Sequence, residues 1–271
     1  MTDMSASNHL PLVSVIMPAY NASGFIEAAI RSVLSQTYEN WELLVIDDCS
    51  TDNTCQIVEA LALQDDRIRL FPNKENQGVA KARNRGFDLC RGDYVALLDS
   101  DDFWFPTKLE KQVCAALQTQ SDIIYCSYSM IDREGRSICE DFIVPESTDY
   151  DSFLVQSVIS CSTALLSRSV YTRHRFPTDY YHEDFILWVR LLRDGYTAHG
   201  ISEVLAGYRL MEGTRSSDKV RSAINRWKIY RDYLKLPYAK SLVLIAKYAT
   251  LGLRKYKRHR LPTNDRSSDI C

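Results

Sequence analysis

Val13 to Met17 is an unbroken β-branched and apolar run closed by Pro18, and it predicts a short buried strand over 13–17. The period then changes. Phe25, Ile26, Ala29, Ile30, Val33 and Leu34 recur at helical spacing across 25–36, and a second apolar run at 43–46 stops on Asp47 and Asp48. Residues 51–63 read as a helix with Ser50, Thr51 or Asp52 available as its cap. A third strand is expected at 68–71, a helix at 78–90 and a fourth strand at 94–98. Strand alternating with helix in this way predicts βαβ units, hence a parallel sheet with right-handed crossovers.

Beyond the fourth strand the pattern loosens. A helix is expected at 108–118, after Pro106 at a first-turn position, and a strand at 123–127. Residues 135–145 read as a mobile connection, 153–166 as ordered structure, and 185–192 as an apolar helix opened by Glu183 and Asp184. One or two amphipathic helices follow over 222–253, with Pro237 as the break. Residues 1–11 are polar and unpatterned, a flexible leader, and 262–271 form a disordered tail. The fold class is α/β, with a C-terminal helical extension.

Composition narrows the choice of partner and compartment. With 33 Lys+Arg against 35 Asp+Glu, the 271-residue chain has no overall attraction to nucleic acid. Its eight cysteines form no C-x-x-C pair and have no His cluster beside them, which argues against zinc. No basic stretch followed by an apolar one opens the chain, so reduced thiols in a cytoplasmic protein are expected. The longest nearly apolar segment, 242–253, is shorter than the roughly 20 residues a membrane crossing needs.

The chemistry gathers where predicted strands end. Pro18-Ala19-Tyr20-Asn21, Asp47-Asp48 and Asp99-Ser100-Asp101-Asp102 would all open onto one crevice, because ligands of an open α/β sheet bind outside its strands' carboxyl ends. Three carboxylates within four positions repel one another unless a cation sits among them. Hard divalent ions take oxygen ligands and bridge carboxylates to substrate phosphates. A solvated acidic turn is the plain alternative. A response-regulator receiver is discounted, since its acidic pair follows the first strand and the chain is about twice its length.

The segments Val13-Ser14-Val15-Ile16-Met17-Pro18-Ala19-Tyr20-Asn21 and Ser32-Val33-Leu34-Ser35-Gln36-Thr37-Tyr38 closely resemble the opening of family 2 inverting glycosyltransferases, which have the GT-A fold. The likeness continues through Val45 to Thr54, Gly78 to Asn84, Leu98 to Asp102, and Glu183-Asp184 in the place of that family's E-D motif. It covers 12–212. It implies a Rossmann-like, mostly parallel sheet whose residues 12–102 form the nucleotide-sugar-binding half and 103–221 the acceptor-binding and catalytic half.

By the same resemblance Asp48 binds the nucleotide base, Pro18, Tyr20 and Asn21 wall its pocket, and Lys81 and Asn84 lie near base or diphosphate. Asp99, Ser100 and Asp101 match the D-x-D segment, so Asp99 and Asp101, with Asp102 close by, are expected to hold Mn²⁺ or Mg²⁺ on the donor diphosphate. Asp184 matches the catalytic base and Glu183 its neighbour. One departure stands out. Many relatives follow the Tyr-Arg pair, here Tyr208-Arg209, with a His two residues on, where this chain has Met211. Arg209 or Arg215 is the expected substitute charge at the donor. The implied activity is metal-dependent, inverting transfer from a nucleotide-sugar, UDP-linked by expectation, to a lipid-linked oligosaccharide in surface-polysaccharide, capsule or lipopolysaccharide synthesis.

The amphipathic extension 222–261 ends in Arg254, Lys255, Lys257, Arg258, His259 and Arg260, a pattern suited to the inner face of an anionic membrane. A basic solvated helix packed on the domain is the alternative there, and pairing with a second copy is open. A nucleotidyltransferase would want a Gly-rich, cationic loop after the first strand, and Asn21-Ala22-Ser23-Gly24 supplies none. A non-catalytic sugar-nucleotide-binding or scaffold protein of the same pathway remains the rival reading.

Overall fold

The computed structural model describes residues 10–210 and 219–257. Its first half follows the hydrophobic pattern: β1 (Val13–Ala19), α1 (Ile26–Leu34), β2 (Trp41–Asp47), α2 (Thr54–Ala62), β3 (Ile68–Pro72), α3 (Val79–Leu89) and β4 (Tyr94–Leu97). Every residue of β1 and β2 is buried. Helices cover both faces of a parallel sheet, so its strands read as continuous apolar runs. β1 pairs in parallel with β2 on one side and β4 on the other, while β3 closes the edge on β2.

The second half departs from the expected pattern. β5 (Phe103–Trp104), α4 (Lys108–Thr119), β6 (Ile123–Ile131), α5 (Tyr150–Val155), β7 (Leu165–Ser167), α6 (Arg168–Arg173), α7 (Glu183–Arg193) and β8 (Ala198–Arg209) follow. The eight strands form one sheet in the order β3-β2-β1-β4-β7-β6-β8-β5. β7 runs antiparallel to β4 and β6, and β5 antiparallel to β8, so the sheet as a whole is mixed. β8 escaped the sequence reading because Gly200, Ser202, Glu203 and Gly207 interrupt it, and its pairing with β6 shifts register near Ser127. Residues 135–145, expected to be mobile, instead fold back on β6. The Phe142 N–H donates to the Tyr128 carbonyl (2.8 Å) and the two rings stack.

Successive residues of β1 point to opposite faces, and the core divides accordingly. Ile16 packs with α3 and α7, whereas Val15 and Met17 pack with α1, α2 and α4. Gly86 sets how close α3 lies to the sheet, since a Cβ there would stand 2.4 Å from Cγ2 of Ile16. After β8 come α8 (Lys219–Lys228), a π-helical turn (Ile229–Tyr233) and α9 (Tyr238–Lys257), with the break at Pro237 as expected. Among the described residues no helix is long and apolar enough to cross a membrane. Residues 1–9 of the leader, Met211, Arg215 and the tail 262–271 lie outside the described residues.

Candidate active site

The carboxyl ends of β1, β2 and β4 open with the starts of α3 and α7 onto a cavity of about 690 Å³. Its floor is tied by its own loops. Asn21, at φ +48°, accepts the Thr51 N–H on its side-chain oxygen (2.8 Å), and its N–H donates to the Ser50 hydroxyl (2.8 Å). Pro18 and Asn21 line the cavity, with half-exposed Tyr20 at the rim.

Asp48 also lines the cavity, but its carboxylate is busy. It accepts the N–H groups of Gly78 (2.6 Å) and Gln77 (3.0 Å) and the Asn73 amide (2.8 Å). These bonds fix the turn into α3, where Gly78 sits at φ +88°. Asp48 thus caps a helix, as acids at such positions do, but α3 rather than the α2 that follows it.

α3 presents Val79, Ala82 and Arg83 to the cavity, not the residues expected of it. Lys81 is exposed on another face. Asn84 is committed to Phe176, donating to its carbonyl (2.9 Å) and accepting its N–H (2.8 Å). Arg83, by contrast, is only 4% exposed and bridges two acids. One guanidinium nitrogen donates to Asp99 Oδ1 (2.6 Å), another to Glu183 Oε1 (3.0 Å). Burial works against its charge, but Asp99 and Glu183 hold it firmly protonated. The signal was present: Arg83 occupies the apolar stripe of α3, in step with Val79, Gly86 and Phe87.

The acids after β4 diverge. Asp99, Ser100 and Asp101 line the cavity, and burial followed by the Asp99 charge pushes the Asp101 carboxyl up to about 6. Asp102 turns away. It is 2% exposed, accepts the Arg209 N–H (2.8 Å) and the Ser162 hydroxyl, and is held well above the usual carboxylate range by burial and its acidic neighbours. Arg209 stands behind the acids, donating to the carbonyls of Asp101 (2.7 Å) and Asp132 (2.6 Å), and does not line the cavity. Its role here is to pin the acidic turn.

Glu183 and Asp184 open α7, where the helix dipole favours acids. Both line the cavity, Glu183 buried against Arg83 and Asp184 only partly buried. Tyr208 of the Tyr-Arg pair also lines the wall, as do Phe25, Ser160, Cys161, Tyr181 and His182, which carried no functional reading in the sequence.

Among the described residues no three side chains converge as a self-sufficient metal cage. Asp99 and Asp101 do fit an ion that takes one or two protein carboxylates and completes its shell with water and substrate phosphate, as Mg²⁺ does. Asp102 falls outside that set because it is buried and turned away from the cavity. An acid whose folded-state pKa is raised opposes folding once it must ionise. For Asp101 that cost is absent below its ordinary value of 3.8, grows towards about 6 and is complete above. In metal-free buffer Asp101→Asn is therefore expected to be more stable than wild type at pH 7.5, by about 1–3 kcal/mol. The two urea-unfolding curves should converge near pH 4; a gap independent of pH would refute the assignment.

Residues 14–173 match the family model described as glycosyl transferase family 2. TuaG of Bacillus subtilis (strain 168), named for teichuronic acid biosynthesis, is 37% identical over 249 residues, covering 92% of this chain and 99% of its own. The Escherichia coli UDP-Glc:α-D-GlcNAc-diphosphoundecaprenol β-1,3-glucosyltransferase WfgD is 37% identical over 246 residues, 90% of this chain and 95% of its own. The fold is shared with S. aureus TarS 1–349, solved in complex with UDP-GlcNAc. There the TM-score is 0.69 at 21% identity, over 88% of this chain and 71% of that one.

Proposed function

The chain belongs to glycosyl transferase family 2 and is a glycosyltransferase, and from that premise we propose metal-dependent, inverting transfer from a UDP-sugar to a lipid-linked oligosaccharide. The products are UDP and the lipid-linked oligosaccharide lengthened by one sugar, an intermediate of surface-polysaccharide synthesis. The observation that carries this reading is the division of labour in the acidic cavity: Asp184 faces the cavity, while Glu183 and Asp99 are joined by Arg83. The lipid-diphosphate acceptor and UDP donor are supported by the name of WfgD, which covers nearly the whole chain.

In this mechanism the Asp184 carboxylate takes the acceptor hydroxyl's proton as that oxygen attacks the anomeric carbon from the face opposite UDP. The configuration at that carbon inverts. Asp48 and the Pro18–Asn21 wall seat the nucleotide. Asp99 and Asp101 would hold a divalent ion, which when bound would supply Lewis-acid neutralisation of the departing diphosphate. Glu183, through Arg83, keeps the first turn of α7 in register with Asp99. The enzyme works as a peripheral protein at the inner face of the cytoplasmic membrane, where a lipid-linked acceptor is found.

The test is nucleotide release from a panel of UDP-, GDP- and dTDP-sugars, with and without Mn²⁺ or Mg²⁺ and a synthetic lipid-diphosphate saccharide. Release from a UDP-sugar that needs both ion and acceptor is expected. Turnover of a GDP- or dTDP-sugar alone would overturn the donor assignment, and undiminished release in chelator would overturn the metal.

A further inference from the structure

Between Asp232 and Asp265 the chain carries eight Lys and Arg and not one acid, although the protein as a whole is formally −2. α9 lies within this stretch. It buries Ser241 and Leu244 against the body and leaves Ala239, Leu242, Val243, Ala246 and Ala249 exposed along one face. Leu242 is 50% and Val243 54% exposed. Lys240, Lys247 and Arg254 recur every seven residues, a spacing that keeps them in nearly one row along a helix. Lys240 and Lys247 are exposed beside the apolar face, and Asp151, which borders it, is paired with Lys240 (2.9 Å).

The inner side of α9 is keyed to the catalytic helix. Arg226 of α8, 5% exposed, lies 3.4 Å over the ring of Phe185 and 5.0 Å from that of Tyr248, and donates to the Ser157 hydroxyl (3.0 Å). Phe185 directly follows Asp184, and Tyr248 belongs to α9.

We propose that the outer face of α9 is the seat of an anionic bilayer, with Leu242 and Val243 entering the headgroup boundary and the lysine row meeting lipid phosphate. An apolar stripe with a cationic margin, on a helix that carries no acid of its own, is the pattern of helices that lie in a membrane interface. The inference deepens the lipid-linked acceptor reading and rests on it for purpose. Through Arg226, it also fixes the base-bearing end of α7 relative to the membrane plane.

The test is flotation of the full chain with vesicles of phosphatidylcholine alone or with 30 mol% phosphatidylglycerol (roughly the charge density at which basic segments bind). Wild type should float with the anionic vesicles, less so in high salt, and Leu242→Glu/Val243→Glu should bind at least about tenfold more weakly. Thermal melting of the variant, unchanged from wild type, shows that it folds. No flotation of wild type, or equal flotation of both proteins, overturns the proposal. So does light scattering that finds a wild-type dimer and a variant monomer with vesicle binding unaltered, since the stripe would then join two copies. Absence of UDP-sugar transfer alongside intact flotation would overturn the substrate reading and leave the membrane seat standing.

Discussion

Asp184→Asn is expected to lower turnover about 10³-fold, the middle of the range for losing a general base. Affinity for the UDP-sugar should stay within about threefold of wild type, because the change removes an interaction made only in the transition state. The reasoning starts from the two acids that open α7. Glu183 is buried on Arg83 and has no freedom to accept a proton from an incoming hydroxyl. Asp184, on the same cavity wall, is only partly buried. Asparagine keeps its size and helix-start position but cannot take the proton. Single-turnover transfer measured beside donor titration separates the two effects. Near-wild-type turnover in the variant would place the base elsewhere.

Arg83→Met is expected to destabilise the fold by about 3–5 kcal/mol, the usual cost of breaking a buried ion pair by removing one partner. The methionine would leave Glu183, whose side chain is 8% exposed, without its cation, and Asp99 without the guanidinium at 2.6 Å. Arg83→Lys keeps the charge but loses the fork that reaches two acids at once, so it should recover only part of the loss. The discriminating variant is Arg83→Met/Glu183→Gln. Removing the stranded charge should return a substantial part of the stability in urea melts, a coupling that a double-mutant cycle measures directly. Additive losses would mean that the pair contributes nothing beyond packing.

The half of the fold that was legible is the half whose strands are buried on both faces. β1, β2 and β4 announce themselves as apolar runs, although β1 continues through Pro18 to Ala19, and they reach the crevice at Ala19, Asp47 and the Asp99 turn. The closing strands were not legible for local reasons. β7 is three residues long, β5 is two, and β8 is interrupted by glycines and a register shift.

At the site, residue types were readable but directions were not. Asp101 and Asp102 are adjacent and chemically identical. What turns Asp102 inward is the Arg209 N–H and the Ser162 hydroxyl, 107 and 60 residues away. Lys81 and Asn84 were expected at the donor and Arg83 was not, yet 100° of helical rotation per residue gives the cavity to Arg83. Its partner Glu183 lies 100 residues on, beyond the reach of any local pattern.

Gly86 bears on when the enzyme uses its binding free energy. With α3 seated against Ile16, Asp48 holding the turn that leads into it, and Asn21 locked to Ser50 and Thr51, the cavity floor proposed to seat the nucleotide is built from the chain's own hydrogen bonds. Little chain remains there to be ordered on encounter, so the entropic charge against donor affinity is small. Contacts to the nucleotide, remote from the bond that breaks, then remain free to align the sugar against Asp184.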